Sequence, residues 1–304
     1  LREFYSKNGY GAVVSAAINK YMYIVIHPYF HDKIRLKYSK TEDVENVDEI
    51  QHPIVRECLR KVELERGVEI ASFADVPAGT GLGSSSAFTV GLLNALYAYK
   101  GKVVSKERLA AEACEIEIDI LKEPIGKQDQ YAVAYGNINY IKFNKNETVD
   151  ISPILLTEIA REKLEDRLCL YYIGGKRKAS DILNEQKRNM LDDEKFQNLR
   201  KIVMLADELR DVLNKENVDL LGGLLHKGWM YKKELARGIS NEYIDALYDK
   251  AVEHGASGGK LLGAGGTGFL LFYINNHETL KKHIKCKALS FNVDREGTKI
   301  IFYE

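Results

Sequence analysis

Residues 76–97 read VPAGTGLGSSSAFTVGLLNALY, and this stretch limits what the chain can fold into more than any other. The preceding VEIASFADV, residues 68–76, alternates apolar and polar positions and reads as a half-buried strand. From Ala87 onward Val90, Leu93, Asn94 and Tyr97 recur at helical spacing, and Leu92 and Leu96 widen the apolar face. Between strand and helix lie Gly79, Gly81 and Gly83, followed by Ser84, Ser85 and Ser86 where an N-cap and first turn belong. Glycines allow a sharp turn and close approach to a ligand. Exposed amides and the positive end of the helix dipole then favour an anion, and a phosphate is the natural occupant. The alternative is a glycine-rich connection that only turns the chain.

Two familiar phosphate loops are excluded. A Walker loop needs a lysine before its Ser or Thr, and no Lys lies between Asp75 and Tyr99. A dinucleotide fingerprint needs an acidic residue at the end of a following strand. Here the helix is followed by KGKVVSKERLAAEA, which starts another helix.

Composition excludes further classes. With 304 residues and 45% hydrophobic content, the chain can build one large or two ordinary cores. Lys plus Arg and Asp plus Glu both number 44, and a net charge of zero supplies no basic field for nucleic acid. Cys58, Cys114, Cys169 and Cys286 follow no metal spacing and are expected to be free thiols in a reducing cytoplasm. No apolar run is long enough for a membrane span, and no signal peptide is evident. The seven histidines do not pair at metal-ligand spacing.

The element order is α+β. Strands are expected in GAVVSAAINKYMYIVIHP, KIRLKYS, NINYIKF, LCLYYIGG, GFLLFY and TKIIFYE. Helices are expected over residues 54–66, from a cap at Ser105 to about Leu121, over 193–215 and 217–237, and from a cap at Ser240 to a stop at Gly255. A change of composition after VDISPI places a domain boundary near residue 150, dividing the chain into 1–150 and 151–304.

Two more stretches carry chemistry. In EIEIDILKEPIGKQDQYAVAYG, residues 115–136, Glu117 lies near a helix end and Asp129 on the loop beyond. A fixed carboxylate can take or orient the proton of a substrate hydroxyl, and a second can hold Mg²⁺. The alternative is that Glu115, Glu117 and Asp119 form a solvated helix face. In GASGGKLLGAGGTGFLLFY, residues 255–273, Gly263 through Gly268 must form a tight loop feeding a strand, which allows close backbone approach to a ligand or another loop. A bare turn is the alternative.

Together these stretches resemble the three motifs of the GHMP kinases: P-x-x-x-G-L-G-S-S at Pro77 through Ser85, G-K-Q-D-Q at Gly126 through Gln130, and G-A-G-G within Gly263 through Gly268. The lines INKYMYIVIHP, GGKRKASDILNEQ and LHKGWMYKKEL extend the similarity toward the D-glycero-D-manno-heptose 7-phosphate kinases. The resemblance implies a two-domain α+β fold, with an N-terminal domain like the second domain of ribosomal protein S5 and a C-terminal GHMP kinase domain. It implies ATP held by Pro77, Gly79, Gly81, Leu82, Gly83, Ser84, Ser85 and Ser86, and Mg²⁺ held by Ser85 and Glu117. Asp129 would act as base toward the anomeric hydroxyl of a sugar phosphate, with Arg177, Gly265 and Gly266 on the acceptor side. A homodimer is left open.

Two departures from the family pattern carry expectations. The usual opening, P-L-R-I-S-F-x-G-G-G-T-D, has no counterpart before Leu1, so about 15 to 25 further residues are expected upstream, enough for a strand and a turn. Thr267 stands where a glycine is common, so an ordinary backbone angle is expected there. A kinase of an unphosphorylated sugar such as fucose, or a non-catalytic ligand sensor of the same frame, remains the competing reading.

Overall fold

From its first residues the chain lays down α1 (Arg2–Asn8), β1 (Tyr10–Ala16), β2 (Met22–Pro28), β3 (Ile34–Lys37) and β4 (Thr41–Val44). Then come α2 (Pro53–Val62), β5 (Val68–Ala74), α3 (Ser84–Tyr99) and α4 (Lys106–Cys114). A π-helical stretch over Glu115–Ile120 continues α4, and α5 (Gln128–Tyr135), β6 (Ile138–Asn144) and β7 (Val149–Pro153) follow. The remainder is α6 (Glu158–Arg167), β8 (Leu168–Gly174), α7 (Ala179–Asn189), α8 (Asp193–Asn214), α9 (Leu221–Lys233), α10 (Glu242–Glu253), β9 (Gly258–Leu261), β10 (Gly268–Tyr273), α11 (His277–His283) and β11 (Lys287–Leu289). The computed structural model describes residues 1–175 and 179–304. Arg177 lies outside the described residues.

Contacts divide the chain into two units, and neither is continuous in sequence. One comprises residues 1–19, 79–82 and 137–293, the other 20–78, 83–136 and 294–304. This differs from a single cut near residue 150. That position falls inside β7, which pairs with β6, and β6 pairs in turn with β1 from Tyr10↔Asn144 to Ala16↔Ile138. The first strand therefore belongs with the second half of the chain.

The first unit carries the three-stranded sheet β1-β6-β7 and an antiparallel sheet in the order β11-β8-β10-β9. Trp229, Tyr171, Tyr248 and Phe272 are buried at the centre of its main core, with Leu261, Leu270 and Ile239 around them. The second unit is built on the mixed sheet β2-β5-β3-β4, in which β3 and β5 run parallel. Helix α3 lies against β2, close enough that Gly91 faces Ile24. Thr89, Val90, Leu92, Leu93 and Leu96 are fully buried, and Phe88 and Tyr97 nearly so. A helix buried on so many sides must be the axis of its unit.

Several local expectations are corrected. TKIIFYE forms no strand. Ile300, Ile301, Phe302 and Tyr303 are exposed, and β propensity without a neighbouring strand to pair with does not make a sheet. The cap of α10 is Asn241, which accepts from the Ile244 amide, while the Ser240 hydroxyl donates to Asp245 instead. Thr267 keeps an ordinary backbone angle, as expected, and its hydroxyl donates to the Gly174 carbonyl. Cys58, Cys114 and Cys169 are buried free thiols and Cys286 is half-buried. Among the described residues no helix is long and apolar enough to cross a membrane.

Candidate active site

In the unit built on β2-β5-β3-β4, the site starts at Gly83. This residue caps α3 in the left-handed region, at φ 71° and ψ 24°, which glycine adopts without strain. Because the glycine occupies the cap, the serines are released from capping, contrary to the sequence-based expectation. Ser84 begins the helix, and the hydroxyls of Ser85 and Ser86 donate to the two oxygens of Glu117 at 2.6 and 3.0 Å. Gln130 Nε2 donates to the same carboxylate at 2.7 Å.

Glu117 reaches this position from the π-helical stretch, whose extra residue per turn re-aims side chains relative to an α-helix. It is completely buried. Burial pushes its carboxyl up, against the Ser85, Gln130 and Ser86 donors that favour the anion, and the charge of Asp129 adds to the upward push. The solvated-face alternative therefore fails for Glu117. It holds for Glu115, which is exposed and pairs with Lys61 at 2.6 Å.

Asp129 lies in the first turn of α5, where the helix dipole favours a carboxylate. A Cβ built on Gly83 would meet its carboxyl carbon at 3.4 Å, so Asp129 stands directly beside the cap of α3. One turn of α5 thus aims Asp129 at Gly83 and its neighbour Gln130 at Glu117. Among the described residues no group of three or more His, Cys, Asp or Glu is arranged to hold a metal. A buried carboxylate beside a hydroxyl nevertheless offers the hard oxygen donors that Mg²⁺ takes when phosphates complete its shell.

Residues 79–82 belong to the first unit. Gly79 and Gly81 both have positive φ, 76° and 80°. The second glycine-rich loop lies against them. A Cβ on Gly81 would stand 2.8 Å from the Leu262 carbonyl oxygen, one on Gly263 would stand 2.5 Å from Gly81 Cα, and one on Gly268 would stand 2.2 Å from the Thr80 carbonyl oxygen. Backbone packs on backbone here with no room for a side chain, so the bare-turn alternative fails. Gly265 is buried on Ile239, whose carbonyl accepts from the Gly266 amide at 2.9 Å. Pro77 is exposed and Leu82 half-buried.

The structure thus brings Ser85, Ser86 and Glu117 together, sets Asp129 beside Gly83, and joins Gly79–Leu82 to Gly263–Gly268. Sequence reasoning missed Gln130 as a partner of Glu117. Its only signal was adjacency to Asp129 in a helix start.

Comparison with known proteins identifies the family. Residues 52–137 match the GHMP kinases N terminal domain and residues 208–289 the GHMP kinases C terminal domain. The chain is 31% identical over 236 residues to a D-glycero-alpha-D-manno-heptose 7-phosphate kinase of Campylobacter jejuni, covering 75% of this chain and 69% of the relative. It is 28% identical over 224 residues to a bifunctional fucokinase/GDP-fucose pyrophosphorylase of Arabidopsis thaliana, covering 71% of this chain and 21% of that much longer protein. The crystal structure of a D-glycero-D-manno-heptose 1-phosphate kinase from Bacteroides thetaiotaomicron superposes with a TM-score of 0.78 at 23% identity, covering 99% of this chain and 93% of the other, and so shares the fold. The chain belongs to the GHMP kinases and is an ATP-dependent kinase of that family.

Proposed function

We propose that this kinase transfers the γ-phosphoryl group of ATP to the anomeric hydroxyl of a sugar phosphate, D-glycero-D-manno-heptose 7-phosphate, giving the 1,7-bisphosphate for nucleotide-activated heptose synthesis. The placement of Asp129 beside the cap of α3, with Glu117 bonded to Ser85 and Ser86, carries the reading, and the 31% identity to a heptose 7-phosphate kinase supports the choice of acceptor. Asp129 takes the proton of the acceptor hydroxyl as the oxygen attacks the γ-phosphorus and ADP leaves. Residues Pro77 through Ser86 supply amides and hydroxyls to the β- and γ-phosphates. Ser85 and Glu117 would hold Mg²⁺, which when bound neutralises charge developing on the phosphates. Arg177, Gly265 and Gly266 are assigned to the acceptor side, where Gly265, buried on Ile239, acts by shaping its loop. Use of ATP and the free thiols fit a cytoplasmic setting.

The fucokinase relative favours one other acceptor class, an unphosphorylated sugar. The deciding measurement is ADP release with heptose 7-phosphate, heptose 1-phosphate, free heptose, fucose and galactose at matched concentrations. A kcat/KM for heptose 7-phosphate at least about a hundredfold above the free sugars is expected, because a phosphate pocket left empty forfeits charge-assisted bonds. Preference for a free sugar would overturn the acceptor, and no ADP release with any of them would overturn the reaction.

A further inference from the structure

Lys232 lies in the last turn of α9, in the unit that holds Gly79–Leu82. Its Nζ donates to the carbonyl of Leu261 at 3.0 Å and to that of Gly263 at 2.6 Å. Those carbonyls mark the end of β9 and the start of the second glycine-rich loop. Its glycines at 263, 265, 266 and 268 all take positive φ, and its other ties are the Leu262 amide on Phe269, the Gly266 amide on Ile239 and the Thr267 hydroxyl on the Gly174 carbonyl. A run of glycines has high conformational freedom, so an ordered loop of this composition needs external ties.

The ties matter because of what rests on the loop. Gly81 meets Leu262 and Gly263, and Thr80 meets Gly268, at backbone-to-backbone distances that admit no Cβ. An error in the position of the second loop is therefore transmitted directly to the phosphate loop. An ammonium group ties two carbonyls at once, and hydrogen bonds from a charged donor contribute roughly twice as much as neutral ones. Its position is costly for the protein to maintain: burial, with the charge of Lys260 adding to it, pushes the Lys232 ammonium down to about 7. A helix surface offers many places where such a side chain could point to water instead.

We propose that Lys232 is a positioning residue for nucleotide binding: its ammonium clamps the Leu261 and Gly263 carbonyls to the end of α9 and so fixes the seat on which Gly79–Leu82 rests. The inference stands on the reading of residues 77–86 as the cradle of the ATP phosphates. In this proposal Lys232 acts through the loop carbonyls it holds, and not as a contact to the nucleotide. Its role would be to keep the phosphate loop in one conformation before ATP arrives, so that binding does not have to order it.

The test is equilibrium binding of ATP, without acceptor, to the wild-type chain and to Lys232→Met, Lys232→Gln and Lys232→Arg, with acceptor KM and thermal midpoint measured beside it. Methionine keeps the stem and removes the charge. The expected result is a Kd for ATP raised about tenfold in Lys232→Met, a smaller rise in Lys232→Gln, and recovery toward wild type in Lys232→Arg, with acceptor KM within about twofold throughout. A folded Lys232→Met that binds ATP as the wild type does, whatever its thermal midpoint, overturns the proposal and leaves Lys232 a packing residue. If Lys232→Met fails to fold, an unchanged Kd in folded Lys232→Gln has the same force. A wild-type chain that does not bind ATP at all overturns the reading of the phosphate loop itself, whereas loss confined to the variants supports the clamp.

Discussion

At the scale of single residues, the three side chains to which the chemistry is assigned in the proposal differ in their surroundings. Asp129 is half-buried at a helix start, Glu117 is sealed from water, and Ser85 is exposed at the first turn of α3. Asp129→Asn keeps shape and removes the proposed base, so kcat should fall on the order of 10²-fold or more while ATP affinity stays near wild type. Steady-state kinetics with an independent ATP titration checks this, and a near-normal kcat would remove Asp129 from the mechanism. Glu117→Gln keeps most hydrogen bonds and removes the charge, so more Mg²⁺ should be needed for half-maximal rate. An unchanged Mg²⁺ titration would leave Glu117 as a structural acceptor for Ser85 and Ser86. Both carboxylates were legible from spacing and motif. What could not be read was the π-helical stretch. EIEIDI alternates like a strand, sits in a helix, and only the π turn carries Glu117 to full burial beside Gln130, so neither the burial nor the partner follows from a 3.6-residue period.

At the scale of elements, most expected strands and helices form, while TKIIFYE forms none and helix caps were misread. Ser105 caps α4 as its sequence position suggests, its hydroxyl oxygen accepting from the Arg108 amide. Helix α2 is capped by a residue that no serine-based rule finds. The His52 ring accepts from the Val55 amide at 3.4 Å, packed between Tyr38 and Phe88 at centroid distances of 4.9 and 5.0 Å. Only a neutral imidazole can accept there. Burial holds its pKa below the usual histidine value, with the nearby Glu42 carboxylate pulling the other way. A folded value below the unfolded one means that the unfolded chain binds the extra proton first. The stability this cap contributes is then present above about 6.5 and is lost as pH falls from there toward the folded value. Thermal midpoints measured between about pH 5 and 7.5 should fall on the acid side in the wild type, and fall less in His52→Asn, which caps without titrating. Parallel curves for the two proteins would show that the acid loss arises elsewhere.

At the scale of the whole molecule, the sequence concealed the division into units because the pairings that create it are remote. Nothing local in Tyr10–Ala16 announces that it will pair with Ile138–Asn144, and nothing in residues 294–304 announces a return to α3, α4 and α5. That return is well tied. The Thr298 amide donates to the Val133 carbonyl at 2.9 Å, its hydroxyl accepts from Asn94 at 3.1 Å, and the Lys106 ammonium reaches the Glu296 carbonyl. Gly297 crosses Gly136 so closely that a Cβ on Gly297 would lie 2.5 Å from the Gly136 nitrogen, and its φ is 70°. Gly297→Ala should therefore lower the thermal midpoint by several degrees or more, because the added methyl meets backbone in a conformation that disfavours it. An unchanged midpoint would mean that the segment can lift away without loss. The same crossing sets an order on biosynthesis. Residues 20–136 are made before the strap that closes over α3 and α5, with residues 137–293 in between. At about 5–20 residues per second the unfinished unit waits on the order of ten to thirty seconds. During that interval the β2-β5-β3-β4 sheet and the largely buried helix α3 stand without this cover, so the nascent unit exposes apolar surface that the folded unit hides.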